Sequence, residues 1–256
     1  MTLSRREFAK ALGMGATGAY VFLRAPATAA ALYGDAPAEY SLKEGDFTPD
    51  EFKDFASSMK SLERRIGSLG RYGLNFEGMP YDGKAGHLGE TLPRPPYTSR
   101  LVPKRVQETV VPLELKDIIF KTTAVHETVH AVSLQALGGF GRELLAVPYK
   151  PSGDLPTEGL VSPASIKFIE ALNVMRALQN RTRGQACDPL PAWFEQLDKL
   201  VTYNEPFEAL ANAGAADVLG LHYEDSYEPY DVLQSAIELI FKEIKRENNN
   251  LTQARR

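Results

Sequence analysis

Half of the chain's four histidines fall in one short stretch, Thr123-Ala124-Val125-His126-Glu127-Thr128-Val129-His130-Ala131-Val132. On an α-helix of ~3.6 residues per turn, positions four apart differ by only about 40° around the axis, so His126 and His130 point the same way and can grip one metal ion. Glu127 stands too far round the helix to be a comfortable third ligand. It can reach a water on the open metal position and take its proton. The chemistry expected of this H-E-x-x-H spacing is hydrolysis assisted by Zn2+, with His126 and His130 as ligands and Glu127 as general base. The flanking residues are uncharged, so burial on a cleft floor would strand no charge there, and no proline interrupts the helix. The same pattern also fits a core helix with two satisfied histidines. A third ligand decides between them.

Two carboxylates are offered in Val201-Thr202-Tyr203-Asn204-Glu205-Pro206-Phe207-Glu208-Ala209-Leu210-Ala211-Asn212. Pro206 marks a helix start, which puts Glu205 at the cap and Glu208 about one turn inside. Asn212 follows Glu208 four residues later on the same face. Glu208 is favoured, because a ligand projecting from a helix is held by its backbone and a polar residue one turn on can orient a ligand histidine from behind. Glu205 stays the alternative. Glu208 also suits the positive end of a helix dipole with no metal at all.

With these residues in place, the chain resembles the gluzincins, the thermolysin-like class of zincin metallopeptidases, in which two motif histidines are joined by a glutamate from a later helix. Glu208-Ala209-Leu210-Ala211-Asn212 is similar to the E-x-x-A-N form of that later helix. The resemblance implies that His126, His130 and Glu208 bind zinc, that Glu127 is the general base, and that Asn212 supports a ligand. It also implies a tyrosine or histidine donor to the oxyanion, for which Tyr203, His222 and Tyr223 are candidates. The metzincin extension is excluded by Ser133 and Ala136, which stand where glycine and histidine would be needed. A di-iron reading of Glu127 and His130 as E-x-x-H lacks its second such pair. The expectation is an exported zinc peptidase acting on peptide or protein substrates; the alternative is a non-catalytic metal-binding or structural exported protein.

The elements that must position these residues follow from capping and periodicity. Thr48-Pro49-Asp50-Glu51 supplies an N-cap, a first-turn proline and a capping-box glutamate. Phe52, Phe55, Met59, Leu62 and Ile66 then recur at helical spacing, with a stop near Gly67 to Gly70. From 72 to 103 glycine and proline are dense, so a long irregular segment is expected, with His87 as a surface loop residue. Short strands are expected at Thr109-Val110-Val111 and Leu144-Leu145-Ala146-Val147. The motif helix should run from Leu115 to Leu137, capped by Gly138-Gly139. Further helices are expected from Ser162-Pro163 (Ile166, Ile169, Leu172, Met175 and Leu178 inward), over 191–203, from Pro206 to about Gly220, and from Pro229 (Leu233, Ile237, Ile240, Phe241 and Ile244 inward), with a polar tail at 248–256. The expected fold is mainly α with a small β portion (α+β), a single zincin-like domain over residues 32–256.

The 256 residues, 43% hydrophobic, can bury a core of ordinary size. Beyond residue 31, 25 basic residues face 32 acidic ones, a net charge of −7 that disfavours nucleic acid as a partner. The basic excess is confined to the N-terminus. There Ser4-Arg5-Arg6-Glu7-Phe8-Ala9-Lys10 precedes the apolar run Ala11 to Leu23, then Arg24 and the small residues Ala25 to Ala31, with Pro26 and Thr28 among them. This resembles a twin-arginine export signal, and it implies a periplasmic or secreted protein with the twin-arginine machinery as a transient partner. The apolar run is too short to span a bilayer, so no stable membrane span is expected. Cys187, the only cysteine, has no internal disulfide partner and no neighbour that would activate it.

The exported chain is expected to begin at Ala30 or Leu32, and replacing both Arg5 and Arg6 by lysine is expected to block export. N-terminal sequencing of exported protein that finds Thr2 retained would refute this.

Overall fold

Capping chemistry sets where the principal helices begin. In a computed structural model, which describes residues 40–42, 46–69, 72, 74–83, 88–92, 98–107, 116–136, 140–148, 150, 153–183, 205–220 and 228–253, helix α1 (Pro49–Ile66) starts on a complete capping box. The Glu51 amide donates to Thr48 Oγ1 at 3.3 Å, and the Thr48 amide donates back to the Glu51 carboxylate. Such a cap contributes about 1 kcal/mol and aims the helix. Phe55, Met59, Leu62 and Ile66 then form its buried face. The N-terminal segment 1–31, the expected strand at 109–111 and the expected helix at 191–203 lie outside the described residues, as do His87, Cys187, Tyr203, His222 and Tyr223.

Helix α1 lies against the motif helix, which is labelled below, and beside a four-stranded mixed sheet. Its strands are β1 (Tyr40–Leu42), β2 (Leu74–Gly78), β3 (Gly89–Thr91) and β4 (Thr98–Leu101), in the order β1-β2-β4-β3. β1, β2 and β4 run parallel, while β3 is antiparallel to β4 and forms one edge, with Thr91 opposite Ser99. Three of the four strands therefore fall in the 72–103 segment expected to be irregular. They are only three to five residues long. Leu74 and Phe76 do alternate inward, but so short a run between glycines and prolines carries too little periodicity to read.

After α2 (Lys104–Gln107), helix α3 (Lys116–Ala136) carries the motif through the middle of the protein. Every residue from Thr122 to Leu134 is buried, so this stretch of α3 has no solvent face, as the middle of a central helix must. Its buried threonines are satisfied within the helix itself: Thr122, Thr123 and Thr128 each donate to the carbonyl four residues back, at 2.6, 2.9 and 2.6 Å.

The expected strand at Leu144–Val147 is instead part of helix α4 (Phe140–Ala146) and the turn after it. Gly141, Leu144 and Val147 are buried at three-residue spacing while Leu145 is exposed, a helical and not an alternating pattern. Helices α5 (Pro163–Arg183), α6 (Pro206–Leu219) and α7 (Glu228–Gln253) complete the architecture, which is mainly helical with a small sheet, α+β. On α5 the inward face is Phe168, Ile169, Leu172 and Met175, with Ile166 only half-buried. On α7 Leu233, Ile237, Ile240, Phe241 and Ile244 are all buried, and the helix continues beyond Asn248, where a polar tail was expected. Gly220 ends α6 in the left-handed conformation at φ 62°, its amide turned back to the carbonyls of Ala216 and Asp217. No helix among the described residues is long and apolar enough to cross a membrane.

Asp54 on α1 joins three helices, accepting from Lys104 Nζ of α2 at 2.6 Å and lying 3.0 Å from Lys121 Nζ of α3. Burial alone would raise its pKa, but hydrogen bonds and charge from Lys104 and Lys121 outweigh burial and hold it below its ordinary 3.8. A depressed folded pKa contributes stability that is present above the unfolded value and is lost as pH falls through the folded one. Asp54→Asn is expected to lower stability by about 1 kcal/mol near neutral pH, since the cluster is only partly buried. In urea melts its gap from wild type should shrink below about pH 4, and a gap constant down to about pH 2 would contradict the assignment.

Candidate metal centre

His126 and His130 sit one turn apart on α3, and α6 lies along the same helix so that Glu208 meets both imidazoles. The approach is close because α6 is built from small residues. A Cβ on Gly214 would come within 3.1 Å of Phe241 Cζ on α7 and 3.4 Å of Val129 on α3, so a side chain there would press mainly on the Phe241 ring. Arg65 of α1 fixes the far end of α6, its guanidinium donating through Nε to Asp217 Oδ2 at 2.8 Å and through its terminal nitrogen to both carboxylate oxygens. The hydrogen bond to Asp217 raises the Arg65 pKa despite burial.

Glu208 Oε2 is 3.2 Å from His126 Nε2, Glu208 Oε1 is 3.1 Å from His130 Nε2, and the two Nε2 atoms are 3.0 Å apart. Three donors bound at zinc distances on corners of a tetrahedron would be about 3.3 Å from one another, close to what is found. His126, His130 and Glu208 are a group that could hold one metal ion. The histidines are buried, and although the Glu208 side chain is 25% exposed, its Oε2 is buried with them. The aromatic ring of Phe207 lies 4.4 Å from that of His130 at 33°, which fixes the imidazole plane. Among the described residues neither histidine Nδ1 has a hydrogen-bond partner.

The electrostatics favour an ionised Glu208 and a charged His126 but disfavour a charged His130. Burial would raise the Glu208 pKa, but the charge and hydrogen bonds of His130 and His126 hold it well below its ordinary value. Burial would lower that of His126, yet Glu208 and Glu127 together raise it, with a last, small contribution from Asn212. His130 is lowered by burial and by the neighbouring His126, against the pull of Glu208. Asn212 is buried one turn beyond Glu208, with its Nδ2 unpartnered among the described residues. Glu205 is exposed at the N-cap of α6, makes no side-chain cap bond and is not in the cluster.

Glu127 is fully buried beside these ligands, with Oε1 4.0 Å from His126 Nε2 and unpartnered among the described residues. Its other oxygen accepts from Thr91 Oγ1 at 2.7 Å. Burial pushes its pKa up to about 8, against the pull of His126 and the Thr91 hydrogen bond. A carboxylate with an unpartnered oxygen beside three candidate ligands is placed to accept a proton and give it up. Thr91, Ser99, Gly89 and Phe207 complete this environment without being readable in the sequence as site residues. The first three lie in the 72–103 segment, and Phe207 looks like any apolar residue in a helical first turn.

One zinc ion per chain is expected, lost in His126→Ala and His130→Ala, retained in Glu127→Gln, and weakened by orders of magnitude in Glu208→Ala, while Glu205→Ala leaves affinity unchanged. Asn212→Ala is expected to cost on the order of 10- to 100-fold. Titration calorimetry with metal analysis checks this series; loss of metal in Glu127→Gln with retention in both histidine variants would reverse the roles. No protein-family model matches the chain, and no curated protein or solved structure does so either, leaving the side-chain geometry to carry the functional assignment.

Proposed function

We propose that the protein is an exported zinc-dependent peptidase of zincin-like fold that hydrolyses peptide bonds in a peptide or protein substrate. One observation carries this reading: a buried glutamate with one oxygen unpartnered among the described residues and set beside a His-His-Glu group, 4.0 Å from the nearest candidate ligand nitrogen. A metal held only for structure needs no such neighbour, and a closed structural site is completed by a fourth protein ligand. The order of parts also supports a gluzincin-like build, with a mixed sheet beside the H-E-x-x-H helix and the glutamate supplied by a later helix. The paired arginines and small-residue cleavage region of residues 1–31 support export to the periplasm or beyond.

Zinc bound by His126, His130 and Glu208 would act as a Lewis acid on the substrate carbonyl and lower the pKa of the attacking water. Glu127 takes the proton from that water at Oε1 as the new C–O bond forms. It then passes the same proton to the leaving nitrogen as the C–N bond breaks, so no net proton stays on the protein. β3 is the edge strand beside Glu127, and its outer edge can pair with an extended peptide backbone, presenting a carbonyl next to the base.

Zinc-loaded protein is expected to cleave a mixed peptide library, to lose that activity with a chelator and regain it with zinc. Glu127→Gln is expected to reduce cleavage by at least about 100-fold with its metal still bound. Equal, background-level cleavage by wild type and Glu127→Gln would instead assign the site to non-catalytic metal binding.

A further inference from the structure

Resting on the peptidase reading, we infer that Thr91 is the positioning residue that holds the Glu127 carboxylate with one oxygen toward the metal ligands, with Ser99 supporting it from the adjacent strand. Glutamate has three side-chain torsions and two equivalent oxygens, and Glu127 is fully buried, so solvent cannot hold its orientation. Its Oε2 is held by the sheet. Thr91 Oγ1 lies 2.7 Å from Oε2, 2.9 Å from the backbone carbonyl of the same Glu127, and 3.0 Å from Ser99 Oγ. Ser99 is buried, directly opposite Thr91 in the β3–β4 register, and its hydroxyl is 3.4 Å from the Glu127 carbonyl. The cross-strand pair thus grips side chain and main chain of one residue together.

Each hydroxyl has one proton, and a consistent assignment exists. Thr91 donates to Oε2, and Ser99 donates to Thr91 Oγ1 or to the Glu127 carbonyl. When Oε1 takes a proton from water, Oε2 is still an acceptor, so the Thr91 bond survives both states of the base without rearrangement. Gly89, two residues before Thr91, closes the other side. A Cβ there would lie 2.9 Å from Oε1, 3.0 Å from Glu127 Cγ and 2.5 Å from Thr123 Cγ2, so the strand reaches the base only because that position is glycine. The edge strand that flanks the site is therefore also the part that aims its base.

The test compares Thr91→Val, which replaces the hydroxyl with a methyl of similar size, with Thr91→Ser, which keeps it, in the zinc-loaded mature chain. For Thr91→Val, kcat is expected to fall on the order of 10- to 100-fold, with KM and zinc content unchanged, and Thr91→Ser to recover to within a few-fold of wild type. A crystal structure of zinc-loaded Thr91→Val is expected to show the Glu127 carboxylate turned away from its place beside His126. Should Thr91→Val not fold, Thr91→Ala is read in the same two ways. An unmoved Glu127 with unchanged kcat, or a Thr91→Ser variant as impaired as Thr91→Val, overturns the inference. If wild type cleaves no better than Glu127→Gln, the peptidase reading fails by itself, and the position of Glu127 in the variant crystal still decides what Thr91 does.

Discussion

The structure depends on one buried electrostatic arrangement, in which a single carboxylate from α6 meets two imidazoles from α3. Burying an ionised carboxylate or an imidazolium alone is costly, and neither is tolerated without a partner or a metal. Glu208, His126 and His130 meet that requirement only together, with donor atoms 3.0 to 3.2 Å apart. A helix displaced by an ångström or two would leave at least one of them buried and unpaired. The positions that hold α6 against α3 therefore matter to the site as much as the ligands do. Gly214 packs α6 against Val129 of α3 and Phe241 of α7, and Arg65 anchors the end of the helix through Asp217.

The sheet has a different task. Its edge strand contacts the one acidic residue of the motif that is not in the ligand set, and it divides that residue's two oxygens between two roles. Oε2 is occupied by Thr91, while Oε1 is left beside His126. Helices thus supply the atoms that could bind a metal, and the strands contact the candidate base. The ordinary preference for satisfying every buried polar atom is relaxed at the oxygen where chemistry would occur, as strained or unsatisfied groups at functional sites commonly are.

Legibility in the sequence tracked the strength of local signals. The capping box at Thr48 to Glu51, the proline that opens α6 and the glycine that ends it mark boundaries that the structure reproduces within a residue or two. The stripe on α7 is long and strictly periodic, and all five of its expected residues are buried. Failures came where local signals are short or ambiguous. Leu144 to Val147 is too brief to separate strand from helix by composition, and packing of Leu144 and Gly141 decided for helix. β2 gains its stability from β1 and β4, partners distant in sequence that no local pattern records, while β3 and β4 are near neighbours too short to show alternation.

By itself the sequence determined the candidate ligand helix and the candidate acid-base residue, because a four-residue spacing on a helix puts His126 and His130 on one side whatever surrounds them. It also narrowed the candidate third ligand to two glutamates, since a proline between them separates a cap position from a helical one. Only the tertiary structure decided between these. Glu208 reaches both imidazoles across 77 intervening residues, whereas Glu205 stays exposed at the cap, and that choice depends on how α6 rotates as it packs on α3. The grip of Thr91 and Ser99 on Glu127 was likewise beyond reach, because a hydroxyl becomes a positioning group only through the strand register and the helix it faces. Spacing along one helix is a local property, and the meeting of groups from separate elements is not.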